Sequence, residues 1–285
     1  LEVIYLSNID QMKRTFSPHA MTLGFFDGIH LGHQLLIEEA KNIARHKKIE
    51  ATLMTFHPHP NEIISNEKAR KYLTPLPIKL KKLNCMGLDK VFIIDFTKQF
   101  ASLSPRNFIE RYILGINAID IVVGFDFTFG YRAQGNVDSL KKSNYSSFFK
   151  TTVISRKDFE SEKVSSTLIK KIIADEGDVE LIPSYLGSYY EIEGMLYISY
   201  DLNNNNVFLD INEKYIMPKP GVYEVEIIIN KKEYVSSITI RNELQRLFKV
   251  NLIQDISLME PAVLTTVRFL KKKSNNVKLF SKALM

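Results

Sequence analysis

The chain is poor in what would place it outside the cell or in a membrane. A single cysteine, Cys85, in 285 residues rules out an internal disulfide framework and fits a reducing compartment. It shares a helical pattern with Leu80 and Leu83, which predicts a buried, inert thiol. No apolar run approaches the length of a membrane span, and the first residues, from Leu1, lack a signal-peptide profile. A cytoplasmic protein without a membrane partner is expected. Neither a Gly-Lys-Ser/Thr ending nor a Gly-x-Gly-x-x-Gly fingerprint occurs, so the common phosphate and dinucleotide loops are excluded. Nothing resembles an activated nucleophile. The net charge of +6 is mild and suits anionic substrates. The short basic run Lys271–Lys273 reads as a solvated face, so no nucleic-acid partner is expected.

What is present has the size and order of two domains. The 45% hydrophobic content supports substantial cores, and there is no internal repeat. Through residue 187, apolar runs (Met21–Phe26, Ala51–Phe56, Val91–Phe96, Ile119–Phe125 and Thr152–Ser155) alternate with helical patterns. One helix has Ser104 as N-cap and Pro105 as first residue, with Phe108, Ile109, Tyr112 and Ile113 as its apolar face. Such alternation predicts an α/β fold, a parallel sheet with helices on both sides, and ligands beyond the carboxyl ends of the strands. From residue 188 the pattern becomes strand after strand: Tyr190–Tyr200, Val207–Ile211, Val222–Ile229 and Tyr234–Ile240. A turn is expected at Asn203–Asn206, a helix near Asn242–Phe248, and a final segment containing Val263–Leu270. This predicts a smaller, mainly antiparallel β domain over 188–285.

Residues 24–33, Gly-Phe-Phe-Asp-Gly-Ile-His-Leu-Gly-His, form a glycine-rich strand-to-helix turn. Leu36, Ala40, Ile43 and Ala44 recur at helical spacing behind it. Gly24, Gly28 and Gly32 let the backbone approach a ligand, and the helix offers unpaired N–H groups and a positive dipole end to an anion. His30 and His33, three apart on one face, each bring a donor for phosphate. A metal reading of the histidines lacks a completing cluster and leaves the glycines unexplained; structural histidines are the other alternative.

Three further clusters stand at predicted strand ends. Phe56-His57-Pro58-His59-Pro60 closes the second predicted strand, where the prolines alone would stop the ladder. Val123 to Gly130 closes the fourth: Phe125, Phe127 and Phe129 alternate, so all should face one way, either as a core stripe or as cover for a flat ligand around Asp126. Val164-Ser165-Ser166-Thr167-Leu168-Ile169-Lys170 opens a helix whose hydroxyls can cap it or cradle phosphate.

Together these segments resemble the adenylylating domain of the bacterial bifunctional FAD synthetases (riboflavin kinase/FMN adenylyltransferase). The first segment is similar to that family's Gly-x-Phe-Asp-Gly-x-His-x-Gly-His form of the nucleotidylyltransferase signature, and the last to its Ile/Val-Ser-Ser-Thr-x-Ile-Arg. The resemblance implies a Rossmann-like domain over 1–187 and a β-barrel-like domain after it. It implies transfer of AMP from ATP to FMN, giving FAD and pyrophosphate, with Mg²⁺ on the ATP phosphates and no metal ligand from the protein. His30, His33, Ser166, Thr167 and Lys170 would hold the reacting phosphates. Gly24, Phe25, Phe26, Asp27, Gly28, Gly32, Lys163 and Ser165 would line the ATP site, with Asp27 bracing the turn. His57, Pro58, Pro60, Asp126, Phe127, Phe129 and Arg132 would line the flavin site. Lys170 stands where the family has arginine, and a point charge in place of a planar fork implies a slower enzyme.

The second half departs further. Leu186-Gly187, Tyr190–Gly194 and Pro220-Gly221-Val222-Tyr223 resemble barrel landmarks. The family's Gly-Arg-x-x-Gly-Phe-Pro-Thr-Ala-Asn kinase signature is missing, and no Pro-Thr dipeptide occurs. The last 95 residues hold two glycines, Gly194 and Gly221, too few for mobile phosphate loops. Glu224 and Glu226 do not match the expected base. The expectation is an FMN adenylyltransferase with a degenerate kinase-like domain and no riboflavin kinase activity. The alternatives are a bifunctional enzyme, a non-catalytic flavin- or nucleotide-binding regulator, and transfer to another phosphorylated acceptor.

Overall fold

The computed structural model describes residues 1–6, 15–67, 70–142, 145, 147–201, 204–242, 246–252 and 262–273. The apolar runs of the first half form one sheet of six parallel strands: β1 (Glu2–Leu6), β2 (His19–Leu23), β3 (Glu50–His57), β4 (Lys90–Asp95), β5 (Ala118–Gly124) and β8 (Lys150–Ile154). Their order is β1-β4-β3-β2-β5-β8. Short pairs lie outside it: β6 (Thr128–Phe129) with β7 (Gly135–Asn136), and β9 (Asp158–Phe159) with β10 (Glu162–Lys163). Eight α-helices are described: α1 (Leu31–Lys47), α2 (Pro60–Ile64), α3 (Leu76–Cys85), α4 (Lys98–Ala101), α5 (Pro105–Tyr112), α6 (Val137–Lys141), α7 (Ser166–Lys171) and α8 (Pro183–Leu186).

The strand order decides where a ligand can go. From β2 the chain winds one way to β3 and β4, and β5 and β8 lie on the other side. The loop after β2 therefore leaves the sheet where the winding reverses, the place at which open α/β sheets bind ligands. Strand side chains alternate between two cores. Met21, Leu23, Met54, Phe92, Ile94, Ile121 and Val123 join Phe108, Ile109 and Tyr112 of α5 on one face. Ala20, Leu53, Val91, Ile93 and Val122 join Leu36, Ile37 and Ala40 of α1 and Leu83 of α3 on the other. Each fully buried leucine or isoleucine there contributes roughly 1.5–3 kcal/mol. Ser104 caps α5, its hydroxyl accepting the Asn107 N–H at 3.2 Å ahead of Pro105.

The chain divides into two compact units, Leu1–Ser166 and Thr167–Met285. In the second, β11 (Tyr190–Asp201), β12 (Asn204–Ile211), β13 (Gly221–Ile229), β14 (Lys232–Ile240), β15 (Leu247–Leu252) and β16 (Ala262–Lys272) form a closed antiparallel barrel in the order β11-β12-β15-β14-β13-β16. β16 pairs with both β11 and β13 and so completes the ring. Along β13, Tyr223, Val225, Ile227 and Ile229 are buried while Glu224 and Glu226 between them are not. α7 runs on into a π-helical turn, Ile172–Glu176, closed by the Gly177 N–H on the Ile172 carbonyl at 2.8 Å. Gly177 is left-handed there, with φ +82°.

Several expectations need correcting. Cys85, the last residue of α3, is exposed, because the buried stripe of that helix ends at Leu83. Asn204–Asn206 belong to β12 instead of a turn, in register with Ser199–Asp201; Leu202 and Asn203 lie outside the described residues. Leu247 and Phe248 begin a strand instead of ending a helix, since Phe248 and Val250 are buried at a period of two; residues 243–245 are not described. β2 stops at Leu23, so Gly24–Phe26 are loop. β1 is a strand that the apolar runs do not announce.

Candidate active site

The loop from Gly24 to His30 is held in a costly shape by several bonds. Phe26, Gly28 and Ile29 have φ of 58°, 79° and 47°, and left-handed backbone is uncommon for phenylalanine and a clear outlier for a β-branched residue. The Asp27 carboxylate, 2% exposed, accepts the N–H groups of Leu73 and Thr74 at 2.9 and 3.0 Å on Oδ1. Thr74 Oγ1 accepts the Gly28 N–H at 2.8 Å. The Ser166 hydroxyl donates to the Asp27 carbonyl at 2.8 Å. Buried polar groups that satisfy one another make the loop rigid.

His30 ends this loop as the N-cap of α1. Its Nδ1 accepts the His33 N–H at 3.3 Å, which leaves the proton of a neutral ring on Nε2. The His30 and His33 rings stack with centroids 3.6 Å apart. A Cβ on Gly32 would come within 3.2 Å of the His30 ring, so glycine lets the ring lie against the helix. Burial pushes the His30 pKa down to about 4, against the pull of Asp27. Burial lowers His33 well below the usual histidine range, helped by His30 and Lys79. Both imidazoles are therefore neutral at pH 7. The first turn of α1 has no acidic residue, so its free N–H groups and the His30 Nε2–H suit an anion. The expectation that both rings offer donors freely is narrowed: His30 Nδ1 is spent on the cap. His33 Nδ1 is enclosed without a hydrogen bond among the described residues.

The Phe25 ring is packed on several sides. His59 meets it edge-on at 4.3 Å, Tyr72 stacks at 6.0 Å, and the Lys79 ammonium lies 4.0 Å from its centroid. Lys79 Nζ and the Thr55 hydroxyl donate to the Phe25 carbonyl at 2.6 and 2.9 Å. His57 is exposed at the end of β3, while Pro58 and Pro60 are half-buried. It is His59 that reaches the loop, and it also caps α2 by accepting the Asn61 N–H at 3.0 Å.

After β5 the chain bends at Phe125 and Asp126, so the expected single-faced alternation of three phenylalanines fails. The Phe127 N–H bonds the Gly124 carbonyl at 3.1 Å. Phe125 is exposed, Phe127 half-buried, and Phe129 buried against Phe108. Asp126 pairs with Lys163 of β10, whose ammonium lies 5.0 Å from the Phe125 ring. Arg132 is exposed beside Tyr131. Thr167 and Lys170 lie on α7 in the second unit, Thr167 exposed and Lys170 half-buried.

The family model that matches this chain, over residues 12–168, is that of FAD synthetase. The chain belongs to the FAD synthetase family. Curated relatives called bifunctional riboflavin kinase/FMN adenylyltransferase include that of Listeria monocytogenes, 36% identical over 247 residues (84% of this chain, 78% of the relative). That of Bacillus subtilis is 35% identical over 229 residues (78% and 72%). That of Buchnera aphidicola from Schizaphis graminum is 31% identical over 290 residues (97% and 92%). A Streptococcus pneumoniae crystal structure described as a macrolide-efflux protein has the same fold, with a TM-score of 0.84, 27% identity and coverage of 98% of this chain and 93% of that one. Among the described residues of this chain, no helix is long and apolar enough to cross a membrane.

Sequence reading misses Thr55, Leu73, Thr74, His59 and Lys79. Lys79 alone leaves a trace, a charge four residues before Leu83 on the apolar stripe of α3.

Proposed function

We propose that the chain transfers AMP from ATP to FMN, and that residues 1–187 carry this reaction. A phosphate oxygen of FMN attacks the α-phosphorus of ATP; the new P–O bond forms as the α–β bridging bond breaks and pyrophosphate leaves. No protein nucleophile or proton transfer is needed, so positioning and charge neutralisation are the protein's task. The observation that carries this reading is the neutral His30, fixed by its own cap bond with an Nε2–H donor beside the free N–H groups of α1. Such donors hold phosphate oxygens without lending a proton. His33 backs the His30 ring. Ser165, Ser166, Thr167 and Lys170 hold the triphosphate, and Lys163 can exchange Asp126 for phosphate. Gly24, Phe25, Phe26, Asp27, Gly28 and Gly32 shape the ATP side. His57, Pro58, Pro60, Asp126, Phe127, Phe129 and Arg132 form the flavin side.

Mg²⁺ enters with ATP as part of the substrate and neutralises phosphate charge. Among the described residues no group of three His, Cys, Asp or Glu side chains could hold a metal, and an ion chelated by phosphates and water needs none.

Residues 188–285 form a kinase-like domain that we propose does not phosphorylate riboflavin. Support comes from the missing signature and from the last 95 residues holding only Gly194 and Gly221, too few for mobile phosphate loops. The test is separation of flavins after incubation with Mg-ATP and either FMN or riboflavin. FAD and pyrophosphate from FMN alone support the proposal. Product from riboflavin restores the bifunctional alternative, and FMN bound without turnover favours the regulator.

A further inference from the structure

Lys79 is 2% exposed on a helix stripe that otherwise buries Leu83. Burying an ammonium is expensive unless it is well bonded. Here Nζ donates to the Phe25 carbonyl at 2.6 Å, sits 3.5 Å from Thr55 Oγ1, and lies 4.0 Å from the Phe25 ring centroid. Every one of these contacts is made with, or beside, the first turn of the phosphate loop. We infer that Lys79 is a positioning residue for the nucleotide, holding Phe25 and hence the Gly24–Gly28 turn in the conformation that receives phosphate.

The same charge reaches His33. The His33 ring lies against the His30 and Phe26 rings and, besides burial, feels the charges of His30 and Lys79, while His30 feels those of Asp27, Asp126 and Lys163. Lys79 is thus the cation from α3 that opposes protonation of His33. Lys79 holds the shape of the loop and adds to the burial that keeps His33 neutral.

The part about nucleotide rests on the adenylyl-transfer reading, while the part about His33 does not, and one set of full-length variants tests both. Histidine titrations are followed by NMR and ATP and FMN KM values are measured for wild type, Lys79→Met, Lys79→Arg and Thr55→Val. In Lys79→Met the His33 titration is expected to rise, with ATP KM up roughly tenfold and FMN KM within about twofold. Lys79→Arg keeps the charge and should restore the His33 titration. Thr55→Val keeps the ammonium but removes the second donor to the Phe25 carbonyl, so ATP KM should rise about threefold while His33 titrates as in wild type. A folded Lys79→Met with an unmoved His33 titration and unchanged ATP KM overturns the inference. If Lys79→Met does not fold, an unchanged ATP KM in Thr55→Val overturns it. A wild type that makes no FAD sinks the adenylyl reading instead, and the His33 titration still decides Lys79.

Discussion

The sheet unit and the barrel treat buried polarity in opposite ways. Around the loop after β2 the sheet unit buries Asp27, His30, Thr55, Thr74 and Lys79, whereas the buried polar residues described in the barrel are Ser236 and Thr265. Each buried polar group costs free energy unless it is bonded. The sheet unit bonds what it buries around that loop, through Asp27 on two backbone amides and Lys79 on a carbonyl, and pairs the buried Asp120 at the start of β5 with Lys47. The barrel closes around tyrosine, phenylalanine and aliphatic side chains, as where Tyr223 meets Phe269 edge-on at 5.8 Å.

The contrast can be broken most sharply at His30. Replacing it by alanine removes both the Nε2–H donor and the cap of α1, so FAD formation should fall by about a hundredfold or more, with about 1 kcal/mol of stability lost with the cap. Turnover within about tenfold of wild type would end the phosphate-clamp role.

Asp27→Ala comes next. It strands the Leu73 and Thr74 amides in a buried site, and a loss of roughly 2–4 kcal/mol in denaturant unfolding is expected. An unchanged midpoint would mean that the loop is not braced as described.

Acid sharpens the comparison without a mutation. The folded pKa of His30 is lowered to about 4 and that of His33 is held well below the usual histidine range, both chiefly by burial. In the unfolded chain both bind protons near pH 6.5. Protonation thus favours the unfolded state, so stability present above about pH 6.5 is lost as pH falls toward 4, on the order of 3 kcal/mol for His30. Unfolding curves at stepped pH should show this loss, and His30→Ala should flatten it.

The smallest expected effect is at Lys170. Lys170→Arg supplies a planar fork for phosphate and should raise kcat/KM for ATP by a few-fold. A fall would show that the lysine suits its surroundings better than the family's arginine.

Much of this is legible in the sequence because it is local. Alternation of strand and helix, the Ser104–Pro105 helix start and the glycine-rich turn each sit within about a dozen residues. What is not legible depends on distance or on pairing. Asp27 finds its amides 46 and 47 residues away, and no spacing rule announces that. The asparagines at 204–206 are poor strand formers, yet ladder partners at 199–201 hold them extended. β1 is a short edge strand whose partner β4 lies over eighty residues on. Cys85 departs from its pattern because a helical stripe says which face is buried and not where the burial stops.

The most direct test of the account follows labelled ATP into the flavin. The full chain is incubated with Mg²⁺ and either α-labelled or γ-labelled ATP, with FMN or riboflavin as acceptor, and the flavins are separated. The account predicts α-label in FAD when FMN is the acceptor, and no γ-label in any flavin. Transfer of γ-label to riboflavin would contradict the silent barrel, and absence of α-label from FAD would contradict the adenylyl site itself.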